Sequence, residues 1–349
     1  MKVCDCCFRD EEIRQFIVST STEHGLCECC SKEGNLIEVN EILDFFLEFI
    51  SIFKHDEVEG KPLIDVIQEE WGIFSSSEIG TKILSDIEFS IALDLEMNLV
   101  FKSPGFTPQI PVSYIDEIVE SVSFWKKLKE DLKWKRRFLT DIDEMVELGW
   151  DAMFNVFATI NSQNTLYRAR INQEGKTSAY SNQEMYTPPN ITSSAGRANP
   201  QGIPYLYLSK TLETTLYETR ATFLDNISIG IFHINDGYEA KLVDFTYKQS
   251  PFNSMGDIFT FTKARLLREV ISVDLSKPLR RYDSELEYIP TQFICEYIRF
   301  FTGADGIQFY SSLEIYGVNI VLFNQENISC TEVELHQITN VNIKSRRIN

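Results

Sequence analysis

Apolar residues recur at helical spacing through the first half of the chain and at strand spacing through the second. Ile42, Phe45, Phe46, Phe49 and Phe53 follow the i, i+3, i+4, i+7 pattern of an amphipathic helix. Ile64, Ile67 and Trp71 continue the period after Pro62, a residue suited to a helix start. Thr140 reads as an N-cap before Asp141 and Asp143, and the helix it opens would carry Met145, Leu148, Ala152 and Val156 on one face. After Asn161 the texture changes. Tyr205 to Leu208, Ile227 to Ile234, Lys241 to Phe245 and Ile320 to Phe323 read as strands. Pro188, Pro189, Gly196, Pro200, Gly202 and Pro204 punctuate the loops between them.

These patterns predict an α+β chain: a cysteine knuckle over residues 1–34, an all-α domain over 35–160, a mixed β-sheet domain over 161–330 and a tail over 331–349, of which His336 to Asn349 is polar and expected to fray. No window approaches ~18 uninterrupted apolar residues, so no membrane span is expected. The start, Met1-Lys2-Val3-Cys4-Asp5-Cys6-Cys7, lacks the apolar core of a signal peptide, so a cytoplasmic location is expected.

Charge narrows the partners. The 349 residues carry a net charge of −19, and 22 acidic against 7 basic residues in the first hundred account for most of it. Sequence-independent binding of duplex nucleic acid, which needs cations against phosphate, is therefore not expected. A small anionic ligand is compatible, because a few arginines in a cleft set the local potential. The basic run from Lys126 to Arg137 reads as a solvated helix face.

Six of the eight cysteines fall in the first 30 residues. Cys4-x-x-Cys7 and Cys27-x-x-Cys30, with 19 residues between the pairs, have the spacing of two knuckles that complete one tetrahedral zinc site. Cys6 and Cys29 offer an alternative register, and His24 could replace one thiolate. Four protein ligands close the coordination sphere, so the expected zinc is structural.

The second half carries dispersed polar residues with a shared chemical logic. Leu166-Tyr167-Arg168-Ala169-Arg170 is followed by Gly196-Arg197-Ala198-Asn199-Pro200-Gln201-Gly202, then Tyr207, then Glu218, then Gln308-Phe309-Tyr310-Ser311-Ser312 and Gly317-Val318-Asn319. Arginine forks can hold a pyrophosphate. A tyrosine offers a flat face to a nicotinamide or adenine ring. A lone glutamate can orient ribose hydroxyls and stabilise positive charge at the anomeric carbon. Nicotinamide leaves as a neutral molecule, so one carboxylate suffices where O-glycoside cleavage uses two.

In order and spacing, residues 165–325 resemble the RES domain family; Tyr288-Ile289-Pro290-Thr291-Gln292 resembles a motif of one of its subgroups. The resemblance implies an ADP-ribosyltransferase-like fold and action on NAD, as a glycohydrolase or phosphorylase of the toxin or antiviral kind, or as an ADP-ribosyltransferase. It implies catalytic roles for Arg168, Arg197, Glu218 and Ser311, and substrate contacts from Tyr207, Arg170 and Ser312. Ser312 competes with Ser311 because Tyr310 stands where the family usually has Pro, and Ala198 stands in place of the usual Trp. An antitoxin or trigger protein and self-association are the implied partners. The competing reading from another class is a non-catalytic adaptor. The front part resembles the HEPN-like domain found ahead of RES domains, but no Arg lies in the ten residues before His55, so no RNase activity is assigned.

Overall fold

The computed structural model describes residues 1–93, 107–140, 142–253, 257–278, 285–341 and 347. Two compact units emerge: Met1–Ser121 with Lys248–Lys263, and Val122–Tyr247 with Ala264–Asn349.

The first unit opens with β1 (Lys2–Cys4), α1 (Glu11–Thr20), β2 (Glu23–Leu26) and β3 (Glu33–Glu38), the strands forming an antiparallel sheet in the order β1-β3-β2. Asp10 starts α1 by accepting the Glu12 and Ile13 amides on Oδ1 at 3.1 and 3.2 Å. Next come α2 (Leu43–Ile50), β4 (Phe53–His55), β5 (Lys61–Pro62), α3 (Leu63–Val66), α4 (Ser77–Leu93) and β6 (Pro111–Tyr114). The second small sheet has the order β4-β6-β5. This corrects the all-α expectation for residues 35–160. The run from Ile42 to Phe53 is cut after Ile50, and Phe53 enters a strand. Strands of two to four residues are too short to write a period of two into the sequence.

The second unit begins within α5 (Asp116–Trp134) and continues through α6 (Ile142–Glu147) and α7 (Trp150–Met153). The single helix expected from Thr140 to Val156 is two, because Gly149 turns the chain at φ +76°; Asp141 lies outside the described residues. Then follow β7 (Phe157–Ile160), β8 (Leu166–Ile171), β9 (Leu206–Ser209), α8 (Leu212–Thr219), β10 (Asn226–Ile234), β11 (Ala240–Asp244), α9 (Ile258–Ser276), α10 (Ile289–Phe301), β12 (Gly306–Tyr310), β13 (Val318–Leu322) and β14 (Ile328–Gln337).

Eight strands form one mixed sheet in the order β14-β10-β8-β9-β13-β12-β11-β7, parallel only between β11 and β12. One core joins Trp125, Trp150, Phe154, Leu267, Ile294 and Ile298 to Val243, Phe309 and Val321 of the sheet. A second gathers Leu166, Met185, Leu208, Phe232 and Ile320. Two domain boundaries therefore move. Residues 122–160 belong with the sheet, since their helices bury against it and β7 is its edge strand. The tail expected from 331 is ordered to Gln337, because β14 pairs with β10 along its length. Among the described residues, no helix is long and apolar enough to cross a membrane.

Candidate active site

The large sheet is nearly open at one seam. β8 pairs with β10 over six positions but meets β9 at a single pair, Tyr167 with Ser209. A cavity of about 530 Å³, a volume typical of small-molecule sites, is lined from both sides of that seam. Arg168 comes from β8, Tyr207 and Ser209 from β9, Phe309 from β12 and Asn319 from β13. Glu218 comes from the last turn of α8, Arg220 from the residue after it, Gly196 and Arg197 from a loop, and Tyr288 from the short 3-10 turn that leads into α10.

Strand alternation alone puts Arg168 and Arg170 on one face of β8, yet only Arg168 lines the cavity. Its Nη1 donates to the Tyr207 carbonyl at 3.0 Å, bridging the seam where ladder bonds are missing. Burial, with Arg170 as a like-charged neighbour, pulls the Arg168 guanidinium down to about 10 from the ordinary 12.5. Arg170 turns instead to the Tyr186 carbonyl at 2.5 Å. Its expected substrate contact therefore finds no place on this wall.

Arg197 sits on a loop tied from several directions. Its Nη1 donates to the Leu275 and Ser276 carbonyls at 3.3 and 3.2 Å, so a cation caps the C-terminal end of α9. The Thr291 hydroxyl donates to the Arg197 carbonyl at 2.6 Å, and Gln292 Nε2 to the Gly196 carbonyl at 2.8 Å. The Tyr-x-Pro-Thr-Gln run thus acts on the arginine loop, and its Tyr288 joins the cavity wall. Ala198, buried where a Trp was the usual residue, donates its amide to the Tyr207 hydroxyl at 2.9 Å. That hydroxyl donates to Asn199 Oδ1 at 2.8 Å, and burial holds the phenol well above its ordinary value. Gly196 is required here: a β-carbon would lie 2.6 Å from both Asn199 Oδ1 and the Tyr207 hydroxyl.

Glu218 is gripped through one oxygen. Oε1 accepts from the Ser311 hydroxyl at 2.7 Å and from Asn319 Nδ2 at 2.8 Å. Ser311 therefore stands behind Glu218, not on the cavity wall, and the exposed Ser312 is on neither. Three arginines line the wall against one glutamate. That is a local excess of positive charge in a chain of −19, suited to an anionic ligand.

The RES domain family model matches residues 165–341, half of the chain. The chain belongs to the RES domain family. No curated protein and no solved structure matches it. The RES match begins just before β8 and ends just after β14, so it spans every strand of the sheet except the edge strand β7. Of the residues that the RES pattern singled out, Arg168, Arg197, Tyr207 and Glu218 line the one cavity. Arg220, Tyr288, Ser209 and Asn319 share the wall without having been assigned roles. Asn319 and Tyr288 stand inside motifs visible in the sequence; nothing in the sequence marks Arg220 or Ser209.

The cysteines form a second centre. Cys4, Cys7, Cys27 and Cys30 bring their sulfurs within 4.8 Å of one another, with separations of 3.9 Å (Cys4–Cys7), 3.5 Å (Cys4–Cys30) and 3.5 Å (Cys7–Cys27). A tetrahedral zinc with Zn–S bonds of about 2.3 Å has sulfur–sulfur edges of roughly 3.8 Å. These four cysteines could hold a zinc ion. Cys6 turns to Asp5 Oδ2 at 3.7 Å, Cys29 to the Ile79 carbonyl at 4.0 Å, and His24 is not in the group. Gly34 lets β3 pass the knuckle: its β-carbon would lie 3.0 Å from that of Cys4. Burial pushes the Cys4 thiol up; the neighbouring thiols and burial raise that of Cys7. Gathering buried thiols with no ion costs free energy that metal binding, by removing the protons, would offset.

Proposed function

We propose that the C-terminal unit cleaves the bond between nicotinamide and ribose in NAD, as a glycohydrolase or phosphorylase. The observation that carries this reading is the convergence of Arg168, Arg197 and Glu218 on one cavity at the sheet seam. Arg168 and Arg197 would hold the pyrophosphate, with Arg220 as a third cation. The Tyr207 and Tyr288 rings would flank the nicotinamide end. Glu218 would accept a ribose hydroxyl and stabilise the cation that develops at C1′. The C1′–N bond breaks with its electron pair going to the pyridinium nitrogen, so nicotinamide departs neutral. Water or inorganic phosphate then bonds to C1′ and gives up a proton.

Mass spectrometry of NAD breakdown, with and without phosphate, tests the reading. Free ADP-ribose identifies a glycohydrolase, and its 1-phosphate a phosphorylase. Label passing to a protein or nucleic acid identifies a transferase working from the same cavity. Intact NAD in every condition removes the enzymatic reading and favours an adaptor.

The sheet unit is read as an ADP-ribosyltransferase-like fold, whose cleft the seam between β8 and β9 would provide. Cys4, Cys7, Cys27 and Cys30 are read as ligands of a structural zinc that stabilises the first unit. Free thiols of this kind suit a reducing compartment such as the cytoplasm. An enzyme that depletes NAD has to be restrained, so an antitoxin or a trigger is part of the proposal, and toxin or antiviral effector is the role it fits.

A further inference from the structure

The grip on Glu218 has an order that can be traced outward. The Ser311 hydroxyl oxygen accepts the Leu313 and Glu314 amides at 3.1 and 3.3 Å. Its lone pairs are thereby occupied and its single proton is directed at Glu218. Asn319 is oriented in turn: Ser209 Oγ donates to Asn319 Oδ1 at 3.0 Å, which turns the amide nitrogen toward the carboxylate. Two donors on Oε1 use both lone pairs of that oxygen. Oε2 has no hydrogen-bond partner among the described residues, and Glu218 lines the cavity.

We propose that Asn319, set by Ser209 and acting beside Ser311, is a positioning residue that fixes Glu218 as an ionised acceptor with one oxygen left for substrate. This rests on the reading of the cavity as an NAD site, and it adds what that reading lacks. Neutral donors, not a cation, hold the carboxylate, so its full charge remains available to the developing cation at C1′. Ser311 contributes no nucleophile, because its proton and lone pairs are all committed. A carboxylate at Glu218 has no proton to give a leaving group, which suits a glycoside whose leaving group departs neutral without one.

The test is a double-substitution cycle on the full chain, with NAD as substrate. Asn319→Leu should lower kcat by about 10–100-fold, the rate equivalent of one hydrogen bond to a charged group, with KM changed less than about threefold. Asn319→Ala, which removes the donor without adding a charge, should match it. In a Glu218→Gln background the same changes should have almost no further effect, since Asn319 acts through Glu218. Equal losses in both backgrounds, or an unchanged kcat in Asn319→Leu, overturn the inference.

A second measurement needs no turnover. The carboxyl carbon of Glu218, labelled with ¹³C and assigned by its loss in Glu218→Gln, is recorded at neutral pH in the parent and in Asn319→Leu. Ser311 and Asn319 are the two donors to its Oε1, so loss of one should shift the resonance, and Ser311→Ala should shift it likewise; an unchanged resonance in Asn319→Leu overturns the inference. If the parent leaves NAD intact but the resonance moves, the NAD reading fails and the positioning role stands.

Discussion

Arg168 reaches across the seam of the sheet to the Tyr207 carbonyl, 3.0 Å away, at the place where β8 and β9 are otherwise joined by one residue pair. The side chain thus closes a gap in the ladder and charges the cavity that the gap creates. A lysine carries its three donors on one nitrogen, so it cannot hold the seam carbonyl with one arm and offer a separate, planar arm to a phosphate. Arg168→Lys should raise KM for NAD about tenfold or more, the equivalent of one charge-assisted hydrogen bond, with a smaller change in kcat. Steady-state kinetics on the purified variant checks this.

The same residue gives a pH signature. Its guanidinium is drawn down to about 10, so it is charged near neutrality, begins to lose its charge about one pH unit below that value and is half neutral at it. Affinity for ADP-ribose, measured by calorimetry, should hold from neutrality to about pH 9 and fall beyond. A surface arginine would show no such loss until near its ordinary 12.5. Affinity that stays level to pH 10.5 would contradict the assignment of the pyrophosphate to Arg168.

Gly196 tests the arginine loop. A methyl group there would sit 2.6 Å from the Tyr207 hydroxyl and from Asn199 Oδ1, both held by hydrogen bonds to each other. Gly196→Ala should cost about 1–3 kcal/mol of stability from overpacking. It should also displace Arg197, so the rise in KM should exceed that of a remote variant with the same fall in Tm.

How much of this could be read in the sequence differs by element. The strand runs at Ile227 to Ile234 and Ile320 to Phe323 fall on β10 and β13, because alternating or fully buried strands write their burial into composition. The short strands β4, β5 and β6 write nothing, since two to four residues hold at most two periods of alternation. The domain boundary was misplaced because helical periodicity says which face of α5 is buried and not what covers it; Trp125, for example, donates to Asp274 of α9. At the site, Arg168, Arg197, Tyr207 and Glu218 were picked out through the resemblance to the RES family, and they line one cavity. Arg170 was not separable from Arg168, since two residues on one strand face look alike until the neighbouring carbonyls choose between them. Ser209 and Arg220 carried no signal, because their roles depend on what long-range folding brings beside them.

The cysteine centre is tested by metal analysis. The purified chain should carry one equivalent of zinc, lost on prolonged treatment with a chelator. Loss should lower the thermal transition of the first unit, whose opening three-stranded sheet brackets the four sulfurs. Cys7→Ser should do the same, whereas Cys6→Ser, outside the four, should retain the metal. A full complement of zinc in Cys7→Ser would show that another register binds it.

Glu218 is proposed to act at the anomeric carbon of a dinucleotide held by Arg168 and Arg197. The most direct test of this is the rate of nicotinamide release from NAD by the parent and by Glu218→Gln, with folding followed by circular dichroism. The substitution preserves size and a hydrogen-bonding group but removes the charge. Release should fall by about 10²–10³-fold, as expected for an oriented group that stabilises transition-state charge, with the spectrum unchanged. Release at the parental rate from a folded Glu218→Gln protein would contradict the account.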